Sequence, residues 1–584
     1  MYTSLKNVQI TICLLKLYHV RHVVLSPGGC DYPIIRSIEC DEDFICHSVV
    51  DESSSAYFAC GLSDELGEIV AIVCTSGTAS INFISGIRWA YDNKKRIVAI
   101  TADRDPFLLG QMETQKIDQM SAYYDCTCAN VELPHVSGKR EFSYCERVIN
   151  ECFMKMNENN EPIHINIPTT LGSSLCVEES LPPVRKIECI DKLTESIKNE
   201  LLSEIQRFKR IIVIAGQSTG LSEEASSALF SFIKNSSAVL AVDHLSNIED
   251  SDNVVYYYRV SELIDEKEFD SLCPDLVITF GNNYAGERIK RLLRNRSGRV
   301  VHWAIDSKRR IRDTFYCLRR VFVCGIDEFF SFISIPDLNR DPSFLSEWKR
   351  WEKKIHIDSV PYSNFLVAKT LCETVPENTN VYLSILMATR QTQFFTFNHG
   401  VKVYSNVGAL GIDGCASTFM GGSFSTGLCY FLVGDLSLFY DINSCIIRRI
   451  PNNVRIIVVN NHCGGEFHFS SSNTSKIDID NYVAAGHDNG FSVWAQYLGM
   501  DYRLVTNDEE LKDGFEYMRE YHDRPVFLEI ITNADEDARI TRQIYERYSK
   551  DSRKRAWIKR IRKFGNRLLG EKRIMRLYRI IKKV

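Results

Sequence analysis

Gly434-Asp435-Leu436-Ser437 closes one apolar run of the sequence, and Asn460-Asn461-His462-Cys463-Gly464-Gly465 closes the next. Asp435 at a strand terminus can ligate a hard cation, and Asn461, 26 residues later, supplies a side-chain oxygen. The Cys463 backbone carbonyl can serve as a third protein ligand. Mg2+ favours such a set, with few protein oxygens and with phosphates and water completing the octahedron. Helix N-termini after both strands would offer backbone N–H groups to a diphosphate. The same residues have plainer uses, since Asp caps helices and paired Asn make turns. Glu52 follows the apolar run 44–51 and could project from the binding edge of a sheet, although acids also suit a helix's first turn.

Strands and helices must bring these residues together. Apolar, β-branched runs of five to eight residues separated by helical segments predict parallel sheets covered on both faces. HVVLSPGG, FICHSVVD, IVAIVCTSG, RIVAITADR and IHINIP are such runs in the first third. RIIVIAGQ, AVLAVD, LVITFGNN and RVVHWAID repeat the pattern, and VYLS, KVYSN, CYFLVGD, VRIIVVNN and VFLEIIT restart it after the polar stretch DPSFLSEWKRWEKK. The expected fold is α/β, with three doubly wound parallel-sheet domains at 1–180, 187–340 and 355–548 and a basic amphipathic helix at 551–584. LPPVRK (181–186) reads as a linker, and MYTSLKNVQITICLLKLYHV as an amphipathic helix and not a signal peptide. In the middle domain AGQSTG offers only Gly216 and Gly220 of a dinucleotide fingerprint, so a packed scaffold is expected there.

Composition narrows the class. Of 584 residues, 45% are hydrophobic and 25% charged, which excludes disorder, collagen and a membrane bundle. No apolar stretch approaches the roughly 20 residues of a membrane-spanning helix. Twenty cysteines are scattered through apolar runs without a C-x-x-C, which reads as buried free thiols in a reducing cytosol. The net charge of −5 hides an asymmetry: from Lys550 onward fifteen Lys and Arg face only Asp551 and Glu571, a net of +13, leaving −18 for the rest.

The segments VDESSSAYFACGL (50–62), VCTSGTASIN (73–82), ITADR (100–104), TQKIDQ (114–119), YSNVGALGIDG (404–414), GDLSLFYDIN (434–443) and VVNNHCGGEF (458–467) share one likeness. Through them the chain resembles the thiamine-diphosphate-dependent enzymes of the pyruvate-decarboxylase and acetolactate-synthase superfamily. Within it, the likeness is to the MenD family of SEPHCHC synthases of menaquinone biosynthesis, over about residues 5–545. The resemblance implies thiamine diphosphate and Mg2+ as cofactors, and a 2-oxo acid that loses CO2 and passes its acyl unit to an acceptor. Glu52 matches the catalytic glutamate that hydrogen-bonds the cofactor's aminopyrimidine, and Ile412 the apolar residue that props the cofactor into its bent shape. Ser76, Gly77, Thr78, Gly434, Leu436 and Ser437 fall at cofactor-binding positions, and Asp435, Asn461 and Cys463 match the Mg2+ ligands. A homo-oligomer, dimeric or tetrameric, is implied, with residues 1–178 facing residues 355–548 of a partner chain.

The substrate positions depart from that pattern. The family follows its first strand with S-P-G-S-R-S, where this chain has Gly29, Cys30 and Asp31 in the last three places. A donor-binding Arg after Ser-Asn becomes Val407. A second Arg, four residues after a Ser, falls at Ala388, so that Arg390 takes its role only if the loop is shifted. A middle-domain Lys falls at Glu287, and an Asn at Thr114, while Arg104 and Gln115 match. Losing a buried Arg–carboxylate contact costs several kcal/mol. The expectation is a carboligase or decarboxylase with altered substrates, such as pyruvate and a less acidic acceptor. The alternatives are a divergent SEPHCHC synthase using Arg390, Arg288 or Lys290, and a non-catalytic binding protein, against which the intact Glu52, Asp435 and Asn461 weigh.

In the basic segment, Trp557, Ile561, Phe564 and Leu568 recur at helical spacing. This stripe suits an anionic membrane surface, docking on the acidic body or a protein partner. A nucleic-acid role would rest on charge alone. The expected location is cytoplasmic, with peripheral contact at the inner face of the membrane.

Overall fold

The computed structural model describes residues 1–169, 176–333, 341, 343–425, 427–447, 449–470, 479 and 481–548; the segment 551–584 and the helix expected of it lie outside them. The chain divides into two compact units, one of Met1–Asp191 with Ser307–Val323, the other of Lys192–Asp306 with the chain from Cys324 onward.

In unit 1, strands β1 (His22–Ser26), β2 (Ile45–Ser48), β3 (Val70–Cys74), β4 (Ile97–Asp103), β5 (Ala129–Glu132) and β6 (Ile163–Pro168) form a parallel sheet in the order β2-β1-β3-β4-β6-β5. Every residue of β3 and β4 is buried, as β-branched strands covered on both faces require. Helix α1 (Lys6–Leu17) departs from the amphipathic expectation: Asn7 to Leu15 are all buried. Its polar side chains are satisfied inside the core, Asn7 donating to the Pro168 carbonyl at 3.1 Å and Thr11 to the Asn7 carbonyl at 2.9 Å. Helix α2 (Glu52–Leu66) starts on Asp51, whose side chain accepts the Ser54 N–H, and ends at Gly67 in the left-handed conformation (φ 68°). The helical stretch after β3 is two helices, α3 (Thr78–Asn82) and α4 (Ile84–Asp92), meeting at Phe83. The supposed linker is partly core: Arg185 is buried, donating to Glu146 on α5 (Lys139–Asn159) at 2.9 Å and to Asp313 at 2.9 Å.

Unit 2 holds two parallel sheets. Strands β7 (Ile211–Ala215), β8 (Val239–Val242), β9 (Val254–Tyr256), β10 (Leu276–Phe280) and β11 (Val301–Ile305) run in the order β9-β8-β7-β10-β11, that of a doubly wound mononucleotide fold. The crevice between β7 and β10, where such folds bind dinucleotides, is closed by backbone. Gly216 N–H donates to the Phe280 carbonyl at 2.8 Å and Gln217 N–H to the Asn283 carbonyl at 2.9 Å. A Cβ at Gly216 would come within 2.4 Å of the Asn282 carbonyl oxygen, so this glycine serves close loop packing. Helix α6 (Arg288–Arg294) follows β10. The polar stretch that looked like a break is helix α7 (Ser343–Lys354), with Phe344, Trp348 and Trp351 buried at spacings of four and three.

The second sheet of unit 2 comprises β12 (Asn380–Leu383), β13 (Lys402–Ser405), β14 (Cys429–Gly434), β15 (Val454–Asn460), β16 (Asp501–Val505) and β17 (Val526–Ile531), ordered β13-β12-β14-β15-β17-β16. Counted from its own first strand this is the order of the unit 1 sheet, so the same winding occurs twice. The architecture is α/β with three parallel sheets. The described cysteines are free thiols, most of them buried. No helix among the described residues is long and apolar enough to cross a membrane.

Candidate active site

The carboxyl ends of β14 and β15 open onto a cavity of about 170 Å3 lined by Gly434 to Ser437, Asn461 and Cys463, with Ile412 and Leu386 on its apolar side. Asp435 starts the short helix α9 (Asp435–Tyr440), and its Oδ1 accepts the Leu436 N–H at 2.7 Å. Its Oδ2 is buried without a hydrogen-bond donor, and His487 Nε2 lies 3.4 Å away. Burial pushes the Asp435 carboxyl up to about 6. A buried carboxylate oxygen whose facing histidine is held toward its neutral form by burial, in a cavity shared with an amide oxygen and a backbone carbonyl, fits a hard divalent cation.

The two asparagines have separate duties. Asn460 is fully buried and donates to Glu529 at 2.7 Å, which ties β15 to β17. Asn461 lines the cavity, and its side chain hydrogen-bonds Asp537 on helix α10 (Ala534–Tyr548). Asp537, itself held by the Asn364 N–H at 2.8 Å and the Thr532 hydroxyl at 2.7 Å, occupies the Asn461 amide, and the Asn461 Oδ1, which accepts the Cys463 N–H at 3.3 Å, keeps a second lone pair for a ligand. Ser437 donates to the Ile412 carbonyl at 2.8 Å and thereby joins the G-D-L-S turn to the G-I-D-G loop. That loop is braced by Asn406, which donates to the Gly414 carbonyl at 3.2 Å. Sequence reasoning missed Asp537 and His487, which reach the site from elements beyond the motif that they serve.

In unit 1, Glu52 is the first residue of α2, partly exposed, and its Oε2 accepts from Asn82 at 3.0 Å. The Ser76-Gly77-Thr78 turn follows β3, with Gly77 at φ 80° and its N–H donating to Gln119 at 2.8 Å. The loop after β1 packs on this turn: Cys30 N–H donates to the Thr75 hydroxyl at 3.1 Å, and Ser76 Oγ lies 3.3 Å from the Cys30 sulfur. Cys30 is therefore buried, whereas Gly29 faces open space. Arg104 follows β4 and reaches Glu113 at 3.4 Å, and Gln115 is exposed at φ 59° beside Gly77. Asp31, in the last place of the same departure from the family pattern as Gly29 and Cys30, is fully buried, and burial pushes its carboxyl up to about 7.

A second, larger cavity of unit 2, about 840 Å3, brings Arg390 and Val407 together with Arg288, Lys290, Arg291 and Arg294 from the β10–α6 region. Ala388 and Val407 pack against the apolar core, so the cation of helix α8 (Met387–Thr392) that faces the cavity is Arg390. Arg390 bonds Glu466 at 2.7 Å, and Lys290 bonds Glu287 at 2.6 Å. Glu262 lies on the same wall; burial raises its carboxyl, and Arg288 and Arg390 draw it back down.

Comparison with known proteins matches residues 6–122 to the thiamine pyrophosphate enzyme N-terminal TPP-binding domain. The 2-succinyl-5-enolpyruvyl-6-hydroxy-3-cyclohexene-1-carboxylate synthase of Bacteroides fragilis is 30% identical over 565 residues, which covers 93% of this chain and 99% of that enzyme. The enzymes of the same name from Phocaeicola vulgatus (29% identity, 93% and 99% covered) and Flavobacterium johnsoniae (26%, 92% and 97%) are similar throughout. The chain thus belongs to the family of 2-succinyl-5-enolpyruvyl-6-hydroxy-3-cyclohexene-1-carboxylate synthases, as a thiamine-diphosphate-dependent enzyme that forms carbon–carbon bonds.

Proposed function

We propose that the chain is an Mg2+-dependent carboligase that takes an anionic 2-oxo acid and passes its decarboxylated acyl unit to an acceptor, with a substrate pair of its own. The supporting observation is the cationic cavity. Arg288, Arg291 and Arg390 line it with Lys290, which favours substrates with a further carboxylate over the less acidic ones expected from the cations lost at Cys30, Ala388, Val407 and Glu287. The distribution of these cations still differs from the family pattern, because the position after Ser-Asn is apolar.

Asp435, Asn461 and the Cys463 carbonyl would hold the cation, and Asp537 fixes the Asn461 amide. Thiamine diphosphate, when bound, supplies the electron sink for decarboxylation. Ile412 and Leu386 form the apolar wall that excludes water from the reacting end. Glu52, steadied by Asn82, would hydrogen-bond the cofactor's pyrimidine ring. Unit 1 carries Glu52 and unit 2 carries Asp435, and we assign each complete site to two subunits. The exposed apolar side chains near Glu52 (Val50, Tyr57 and Phe58) suit such an assembly.

The near full-length similarity to the Bacteroides fragilis enzyme favours a second reading, the family's own succinyl transfer with Arg390 as the donor clamp. The test is purified protein with Mg2+ and thiamine diphosphate against pyruvate, 2-oxobutyrate, 2-oxovalerate and 2-oxoglutarate, read as CO2 release, with and without isochorismate. Release from at least one acid is expected. Isochorismate consumption with 2-oxoglutarate would establish the second reading, and no release from any acid would refute both.

A further inference from the structure

Leu386 sits at φ 64° and ψ −120°, a region that side chains other than glycine's rarely enter. It is a branched residue held there at the start of α8, and its carbonyl accepts the Arg390 N–H at 2.9 Å. The strained residue therefore sets the first turn of the helix that delivers Arg390. Among the described residues, Leu386 is also the only one that lines both the 170 Å3 cavity and the 840 Å3 cavity. Its side chain packs on the same apolar cluster as Ile412, so the two form one apolar wall.

Strain of this kind persists only where the surroundings impose it. Here the surroundings are the turn from β12 into α8. Ser384 N–H donates to the Leu432 carbonyl at 2.9 Å, and the Thr389 hydroxyl donates to the Ser384 carbonyl at 2.7 Å, so the backbone is held on both sides of Leu386. The turn packs the partly buried Ala388 against the core and presents Arg390 to the larger cavity.

We propose that Leu386 is a specificity-determining residue: its side chain is the partition between the cofactor cavity and the cationic cavity, and it limits the size of the 2-oxo acid that reaches the cofactor. This rests on the carboligase reading above. Its backbone conformation, in turn, positions Arg390 to meet the donor's charged end. A single apolar side chain in such a place discriminates between homologous substrates by one to two orders of magnitude.

Three variants separate the roles. Leu386→Ala and Leu386→Gly both remove the partition, and each should raise the kcat/KM ratio of 2-oxovalerate to pyruvate by about tenfold. Leu386→Met keeps the bulk, and its ratio should stay within about twofold of the parent. The backbone claim is read without turnover, by urea unfolding: Leu386→Gly should unfold at a higher midpoint than Leu386→Ala, the reverse of the usual order. An active parent with unchanged ratios in the Ala and Gly variants would overturn the partition and leave the carboligase reading standing. An Ala variant more stable than the Gly variant would overturn the strained positioning, and a parent that releases no CO2 would fail the carboligase reading itself.

Discussion

Asp31 shows how one side chain can carry a cost for its neighbourhood. Its Oδ1 accepts the Gly28 N–H at 2.8 Å, while its Oδ2 is buried without a partner. Burial, with the Glu52 charge adding to it, raises its carboxyl from 3.8 to about 7. The folded protein then holds a proton there that the unfolded chain releases, so this residue's contribution to stability is greatest below about 4 and is lost as pH rises through about 7. Asp31→Asn keeps the acceptor and removes the titration. Measured by urea unfolding, the variant's advantage over the parent should grow from pH 5 to pH 8, to a few kcal/mol at the upper end. An advantage independent of pH would contradict the assignment. At this scale the sequence was informative about Asp435, Asn461 and Glu52, whose types and spacing carry their chemistry. It was silent about the burial of Asp31 and Asp537, because an aspartate's burial is decided by the elements that close over it.

The elements that could be read from sequence are those whose residues have only one way to be buried. Strands such as Val70–Cys74 and Ile97–Asp103 are apolar on both faces and were evident as parallel core strands. The strands Ala129–Glu132 and Asp501–Val505 were not anticipated, because they lie at sheet edges, the first half-buried and the second partly exposed, and so lack a continuous apolar run. Helix α1 was misjudged for the opposite reason, since its Asn, Gln and Thr look like a wet face and instead bond inside the core. The segment 181–186 illustrates the same point with a charge. Arg185 is buried between Glu146 and Asp313, and removing one partner of such a group leaves uncompensated buried charge. Arg185→Ala should therefore lower the unfolding free energy of the protein by about 3–5 kcal/mol, as measured by urea titration. A loss below about 1 kcal/mol, the scale of a surface pair, would show the segment to be an ordinary linker.

At the scale of the whole molecule, the same winding occurs in the Glu52-bearing sheet and in the Asp435-bearing sheet. If each active site draws one residue from each of two subunits, two inactive variants must rescue one another. Co-expressed Glu52→Gln and Asp435→Ala chains would form mixed dimers in which one of the two sites has both residues intact. With random pairing, CO2 release should recover to about a quarter of the parent's, although each variant alone is inactive. Mixed preparations that remain inactive would place Glu52 and Asp435 of a working site in the same chain. Unit 1 is built from two stretches of chain, since Ser307–Val323 returns to join residues 1–191. During synthesis this return has a price in time. At roughly 5–20 residues per second, the ribosome takes on the order of ten seconds to travel from Arg185 to Asp313. For that interval the nascent unit 1 holds Glu146 and Arg185 without the carboxylate that completes their cluster. Its closure waits until the first sheet of unit 2 has been made.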